Sequence, residues 1–529
     1  MRVIGMSANL QFKPLDNVGL NGLNLQANPS ALDPSWLTKA DNIVLRESGR
    51  ISFRKGLKQN VLANTDGASS AALKIGAIAE VGSTILAAVG AKMYTVDFTT
   101  PDTPWTSAFA TGGTASDWQM IPFKGEMYCV QSGHIPVEYD AGTWATLTSA
   151  SGYTAPASVT TFNPRCGTGY YGRLWVGGIA EEKDVIYYSD TLNAHKWGSG
   201  AAGSIDLKTV WGTDEIIAIA PFYGKLVIFG KHNIVIYNGP DEPTTMALDE
   251  VIRGVGCASR DTVQSVGDDL YFLSSTGVRS LSRTTEKDNV PLQDLSLTIK
   301  DTLTRNISQS SNAKAVYVEN EGTYILSFVD NNITYVFDIK HETPSGTPRL
   351  TTWSFDSNRE PSSFAYTESK DLLVGQQAGS VSTYEGYYDK DYVSGGTYTS
   401  ASYTGIFKST WLDLGQGAIA SLLKKLKAVI EGGSGSTIGV KWYKDFNVTP
   451  SKTSNFLLNP VSTGVVALFG ASTSLYGSSK YTPVFGMKEY NIPLTGSAKY
   501  LQIEMNGETA GYTASLQDMT LLFKQGKIR

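Results

Sequence analysis

The chain has 529 residues, long enough for two or three compact units or for one large repeat array. Hydrophobic residues make up 41% of it and charged residues only 18%, and 53 Gly, 27 Tyr and 10 Trp point to turns and aromatic strands rather than long charged helices. A formal net charge of −5, from 44 basic and 49 acidic side chains, excludes the positive excess of a protein that grips nucleic acid through its phosphates, so any contact with DNA is expected to be loose.

The start, MRVIGMSANLQFKPL, lacks the apolar stretch of a secretory signal, and no run of about 18 apolar residues occurs anywhere, so neither export by that route nor membrane insertion is expected. Residues 1–70 read as an N-terminal extension. Within it Asp33 is placed to cap a short helix with Pro34 at its first position, and Gly49-Arg50 to turn a hairpin. Arg46, Arg50, Arg54 and Lys55 form a basic cluster, matched much later by Lys424, Lys425 and Lys427. Either cluster could contact phosphate, but a solvated strand face or a subunit contact is the favoured reading.

From 71 to 400 one sentence repeats: apolar half-strand, glycine turn, apolar half-strand. Centred on its glycine it reads STILAAVGAKMYTVD at Gly90, GEMYCVQSGHIPVEYD at Gly133, GKLVIFGKHNIVIYNG at Gly230, DDLYFLSSTGVRSLSR at Gly277 and KDLLVGQQAGSVSTYEG at Gly379. Two spacings are 43 and 47 residues and the other two, 97 and 102, are about twice that, so each long gap should hide another copy. GRLWVGGIAEEKDVIYYSD (172–190) fills the first and GTYILSFVDNNITYVFDIK (322–340) the second. Seven modules at this spacing match four-stranded propeller blades, because a small sheet that cannot cover both its faces alone does so by stacking radially into a closed ring. The expectation is an all-β chain with a six- or seven-bladed β-propeller, each quoted copy an inner hairpin of one blade.

From 401 to 529 the pattern changes. TGIFKSTWLDLG, STIGVKWYKDFN, KYLQIEMNGE and SLQDMTLLFKQGK read as strands between Gly, Ser and Asn turns. SLLKKLKAVIEGG fits helix and strand periods imperfectly and is assigned as strand because it runs into Val429-Ile430 and then Gly432-Gly433. A C-terminal β-sandwich-like domain is expected.

The residues offer little reaction chemistry. Four histidines, His134, His195, His232 and His341, lie in different modules, too scattered for a zinc site or a Ser-His-Asp triad. No phosphate loop, GxSxG elbow or HExxH helix is present. Cys129, Cys166 and Cys257 are odd in number and far apart, which fits core thiols in a reducing cytosol rather than disulfides or a metal site. Ser189, Asp190 and Trp197 faintly echo an Asp-box turn, a structural feature of sialidase-like propellers. The pairs Glu181-Glu182 and Asp268-Asp269 sit at apparent turns. The expectation is no catalytic, cofactor-binding or metal-binding residue and no enzyme.

In layout, GLNLQANPSALDPSWLTKADNIVLRESGRISFRKG, the modules with GYYGRLWVGG, DVIYYSD and HKW, DDLYFLSSTGVRSLS and the later TGIFKSTWLDLG resemble the tail nozzle, or tail tubular, proteins of short-tailed bacteriophages and the related packaged-DNA stabilisation proteins. The resemblance implies a virion structural protein, assembled in the host cytoplasm and located in the tail. It implies a homo-hexameric ring below the portal adaptor protein, sharing surfaces with tail fibres or tailspikes. Its channel would retain packaged double-stranded DNA and conduct it during DNA ejection. A mildly acidic chain suits a conduit, since each neutralised phosphate would add affinity and retard passage. The alternative is a carbohydrate-binding β-propeller using exposed aromatics such as Trp175 and Trp197. A propeller hydrolase would need carboxylates or histidines gathered at the axis.

Overall fold

The computed structural model describes residues 10–46, 50–64, 73–111, 117–282, 294–309, 312–356, 359–414, 419–433, 435–458, 485–509 and 511–525. Its larger part is a β-propeller. Seven small antiparallel sheets follow one another along the chain, and their first strands are Ile75–Val81, Gln119–Phe123, Cys166–Tyr170, Ile216–Phe222, Gln264–Val266, Ala313–Val318 and Pro361–Tyr366. Six blades have four strands. Among the described residues the fifth has three, Gln264–Val266, Asp269–Ser274 and Gly277–Ser280, and is followed by the helix Lys300–Gln309. The first strand of the first blade packs against those of the second and the seventh, which closes the ring.

Every repeated sentence of the sequence is the hairpin of a blade's second and third strands, for example Thr84–Val89 with Lys92–Val96 and Lys225–Gly230 with Asn233–Asn238. The hairpin is therefore the middle of the blade, one strand farther from the axis than expected. Strand alternation explains why these runs are apolar throughout. Leu226 and Ile228 point into the core shared with the third blade, Val227 and Phe229 into the core shared with the fifth, and all four are inaccessible. Both faces of a blade are buried, so the usual polar face disappears. Each such side chain withdrawn from water stabilises the fold by roughly 1.5–3 kcal/mol.

The ring is sealed by a strand from elsewhere in the chain. Leu57–Gln59 pairs antiparallel with Val381–Tyr384 and supplies the fourth strand of the seventh blade. The rest of the N-terminal region does not stand apart from the C-terminal one. Strands Trp36–Asp41, Ile43–Leu45 and Ile51–Phe53 interleave with Thr404–Ser409, Ser421–Gly433, Thr437–Lys444, Tyr500–Glu508 and Ala514–Gln525 in a two-layer β-sandwich. One layer is continuous with the sixth blade: Pro348–Trp353 joins Gly22–Leu23 and Trp36–Asp41 in parallel, and the sheet runs on through Thr404–Ser409 and Tyr500–Glu508. Leu426, Ile430, Val440, Trp442, Ile503 and Leu521 fill the space between the layers. Gly405 and Gly507 face each other across two strands of this sheet, and a Cβ on either would meet the ring of Phe53 at 2.4 or 2.0 Å; the pair of missing side chains makes the aromatic ring's place.

Three local expectations meet different outcomes. Asp33 caps no helix: its carboxylate accepts the Ser35 N–H at 2.9 Å in a tight turn, because the residues after it, Trp36–Asp41, alternate into a strand that gains three sheet partners. The hairpin at Arg50 exists as Ile43–Leu45 paired with Ile51–Phe53, its tip lying outside the described residues. Ser421–Gly433 is a strand along its whole length.

Candidate functional site

The first strands of a propeller run in one direction along the axis, so residues just ahead of them gather at one end of the central opening. Here they are charged. Lys74, Arg165, Glu215 and Glu360 immediately precede the first strands of the first, third, fourth and seventh blades. Asp117, Arg260, Asp261 and Lys314 stand at the equivalent ends of the second, fifth and sixth. Four of these meet. Arg260 donates through Nε to Asp261 Oδ1 at 2.8 Å, through Nη1 to the Arg165 carbonyl at 2.8 Å, and through Nη2 to Asp117 Oδ1 at 3.2 Å. Lys314 Nζ donates to Asp117 Oδ1 at 2.7 Å and also to Asp261 Oδ2. Beside this cluster lies an axial cavity of about 210 Å³, bounded by Gly76, Trp118, Gln119 and Ser363.

Burial alone would raise the carboxyl pKa values of Asp117 and Asp261, but the adjacent Arg260 and Lys314 charges outweigh it and hold both below the ordinary carboxylate range. Lys314 in turn is buried, which disfavours its charge, yet the two aspartates raise its pKa. A general acid needs a carboxyl poised near the working pH, and a general base needs a proton within reach. These two carboxylates are instead spoken for by guanidinium and ammonium groups. The arrangement ties the second, third, fifth and sixth blades together across the hub.

The residues singled out in the sequence are dispersed. His134 packs beside Trp118 with centroids 5.6 Å apart, and His195 Nε2 lies 2.7 Å from Glu138 Oε2 between the second and third blades. His232 sits at a turn whose N–H bonds Asp214, and His341 Nδ1 is 2.9 Å from Asp338 in the sixth blade. Among the described residues no group of three or more His, Cys, Asp or Glu could hold a metal ion. Cys129, Cys166 and Cys257 are free and buried, and burial pushes the thiols of Cys166 and Cys257 up to about 12. Asp190 accepts the N–H groups of Thr191 and Ala201 while Ser189 Oγ accepts that of Leu174, so this segment is a structural turn. Glu182 bonds Tyr187, and Asp269 bonds Ser280, inside their own blades.

Two expectations about surface residues, on the tryptophans and on Arg54, are corrected. Trp175 and Trp197 are buried, Trp175 completely, because each fills the space between neighbouring blades; neither is available to stack on a sugar. Arg54 is also wholly buried. It donates to Asn42 Oδ1 at 2.8 Å and the Lys55 carbonyl at 2.7 Å, lies 3.7 Å from Asp389, and stacks over Tyr403 with 4.2 Å from guanidinium carbon to centroid. It joins sandwich to propeller rather than facing phosphate. Lys425 and Lys427 lie on the outer sandwich face and pair with Asn491 and Glu489, as a solvated strand face does.

That outer face carries an apolar patch that the sequence did not advertise. Leu10, Lys524 and Leu422 lie side by side on three adjacent strands, with Phe12 beside Leu522 in the next row, and Leu10, Phe12 and Leu422 are 42%, 63% and 43% exposed. Among the described residues the strand Leu10–Pro14 pairs on one side only, with Ala514–Gln525. The hub cluster was equally hidden, although a signal existed: a charged residue recurs just before the apolar first strand of module after module.

No family model matches the chain, and no curated protein matches it. Among solved structures, a streptogramin B lyase is similar at 11% identity over 62% of this chain and 97% of its own, with a TM-score of 0.41. The WD40 β-propeller domain of Doa1 is similar at 9% identity over 62% and 96%, with a TM-score of 0.36. PorZ, a surface component of the type-IX secretion system of Porphyromonas gingivalis, is similar at 12% identity over 77% and 46%, with a TM-score of 0.35.

Proposed function

We propose that the chain is a structural virion protein, the subunit of a hexameric tail nozzle of a short-tailed bacteriophage, whose channel retains packaged double-stranded DNA and conducts it during ejection. In this reading it sits below a portal adaptor, shares surfaces with tail fibres or tailspikes, and is assembled in the host cytoplasm. The observation that carries the proposal is the outer sandwich face, where Leu10, Phe12 and Leu422 are exposed and the edge of Leu10–Pro14 is unpaired among the described residues. An open strand edge beside exposed apolar side chains is a template for another chain, and proteins leave such edges where assembly uses them. The weak overall negative charge supports a wall along which DNA slides. The ion-paired hub supports a scaffold in preference to a hydrolase.

The test is the mass of the purified full-length chain in solution followed by negative-stain imaging, alone and with its portal and adaptor. Six-fold rings with a central hole are expected. A monomer that stays monomeric in both settings would overturn the proposal.

A further inference from the structure

Between the hairpin that ends at Arg46 and Phe53 in the sandwich and the outer strands of the sixth blade lies a cavity of about 480 Å³. This is within the usual size range of small-molecule sites. Its charges do not balance internally. Glu321 is engaged by Lys55 at 2.8 Å and Asp338 by His341 at 2.9 Å. The lining holds four cations, Arg46 at the mouth, Lys55, Lys340 and Arg349, against the two carboxylates Glu321 and Asp338, and Arg349 stands opposite Asp338 in the ladder. Among the described residues Nε and Nη1 of Arg349 are buried with no hydrogen-bond partner. Two other residues of the same wall, Trp353 and Thr323, are 3% and 7% exposed, and their Nε1 and Oγ1 are likewise without partners.

Leaving one buried polar atom unpaired costs about 1–3 kcal/mol, and most such atoms in folded proteins are satisfied. Four such atoms in the lining of one cavity make it a place where a polar occupant would be stabilised. Their chemistry says what kind. Guanidinium and indole nitrogens can only donate, so the occupant must be rich in acceptors, and the surplus of positive charge asks for an anion. The planar fork of Arg349 matches the two oxygens of a carboxylate or phosphate. Phe53 and the stacked pair Trp353 and Tyr384, 4.9 Å between centroids, offer an apolar wall for the remainder of such a molecule.

We infer that this cavity at the junction of propeller and sandwich is a binding site for a small molecule bearing an oxyanion, carboxylate or phosphate, held by Arg349 and Arg46. The site is independent of the ring proposed above. Because its two walls belong to different parts of the fold, occupancy clamps them together and raises stability through binding to the folded state alone.

Thermal unfolding of the full-length chain is followed against inorganic phosphate and against citrate, with ionic strength held constant by sodium chloride. At least one anion should raise the midpoint with the logarithm of its concentration. Phosphate acting alone indicates a phosphate-bearing ligand, and citrate acting alone a carboxylate. Arg349→Met should abolish the effect and Lys424→Met, on the outer sandwich face, should leave it intact. If Arg349→Met does not fold, Arg46→Met at the mouth must weaken the apparent affinity by about tenfold. No response beyond chloride for either anion, or an undiminished response in the arginine variants, would mean a water-filled cavity and overturn the inference.

Discussion

Arg54 shows how far a side chain's role can lie from its neighbours in sequence. Spaced four residues from Arg50 and next to Lys55, it reads as one more surface cation. Its partners Ser354, Asp389 and Tyr403 are some 300 residues or more away, and nothing local announces them. With its charge fully withdrawn from water, removal should expose the cost of the acceptors it leaves behind: Arg54→Met is expected to lower unfolding stability by roughly 3–5 kcal/mol in urea titration. The hub aspartates make a different forecast. Their folded pKa values lie below the ordinary 3.8, so the folded state holds fewer protons than the unfolded one at mildly acid pH. The stability they contribute is complete above about pH 4 and is lost as pH falls toward their folded values. The melting temperature of the parent chain should drop steeply between about pH 4 and pH 2, and Asp261→Asn should flatten that slope.

Elements were more legible than residues where the repeat enforced them. Five glycine-centred hairpins could be aligned, and two more placed by the doubled spacing, because each blade needs a turn between the same two apolar strands. Legibility failed where an element's identity depends on a distant partner. The strand Leu57–Gln59 is three residues long and unremarkable in sequence, yet it occupies the fourth position of the seventh blade. Trp36–Asp41 behaves similarly: the signal at Asp33-Pro34 suits a helix start, and only the neighbouring strands turn the segment into sheet. A fragment comprising residues 71–400, the natural cut by composition, would lack the closing strand, Arg54 and the sandwich sheet that continues the sixth blade. Such a fragment is expected to lose its cooperative thermal transition in circular dichroism, and adding residues 50–70 back by fusion should restore part of it.

At the scale of the whole molecule, the sequence marks three regions, whereas the structure weaves the first and third into a single sandwich and lends the first to the second as well. Composition registers what a segment is made of, and strand pairing across several hundred residues leaves no mark in it. Such pairing also has a cost in time. During synthesis Leu57 leaves the ribosome long before Tyr384, its ladder partner, and at ordinary elongation rates the wait is on the order of tens of seconds. Through that interval the nascent N-terminal strands are unclaimed and must avoid other chains, so yield in a cell should depend on translation speed and chaperone supply more than on the final stability of the fold.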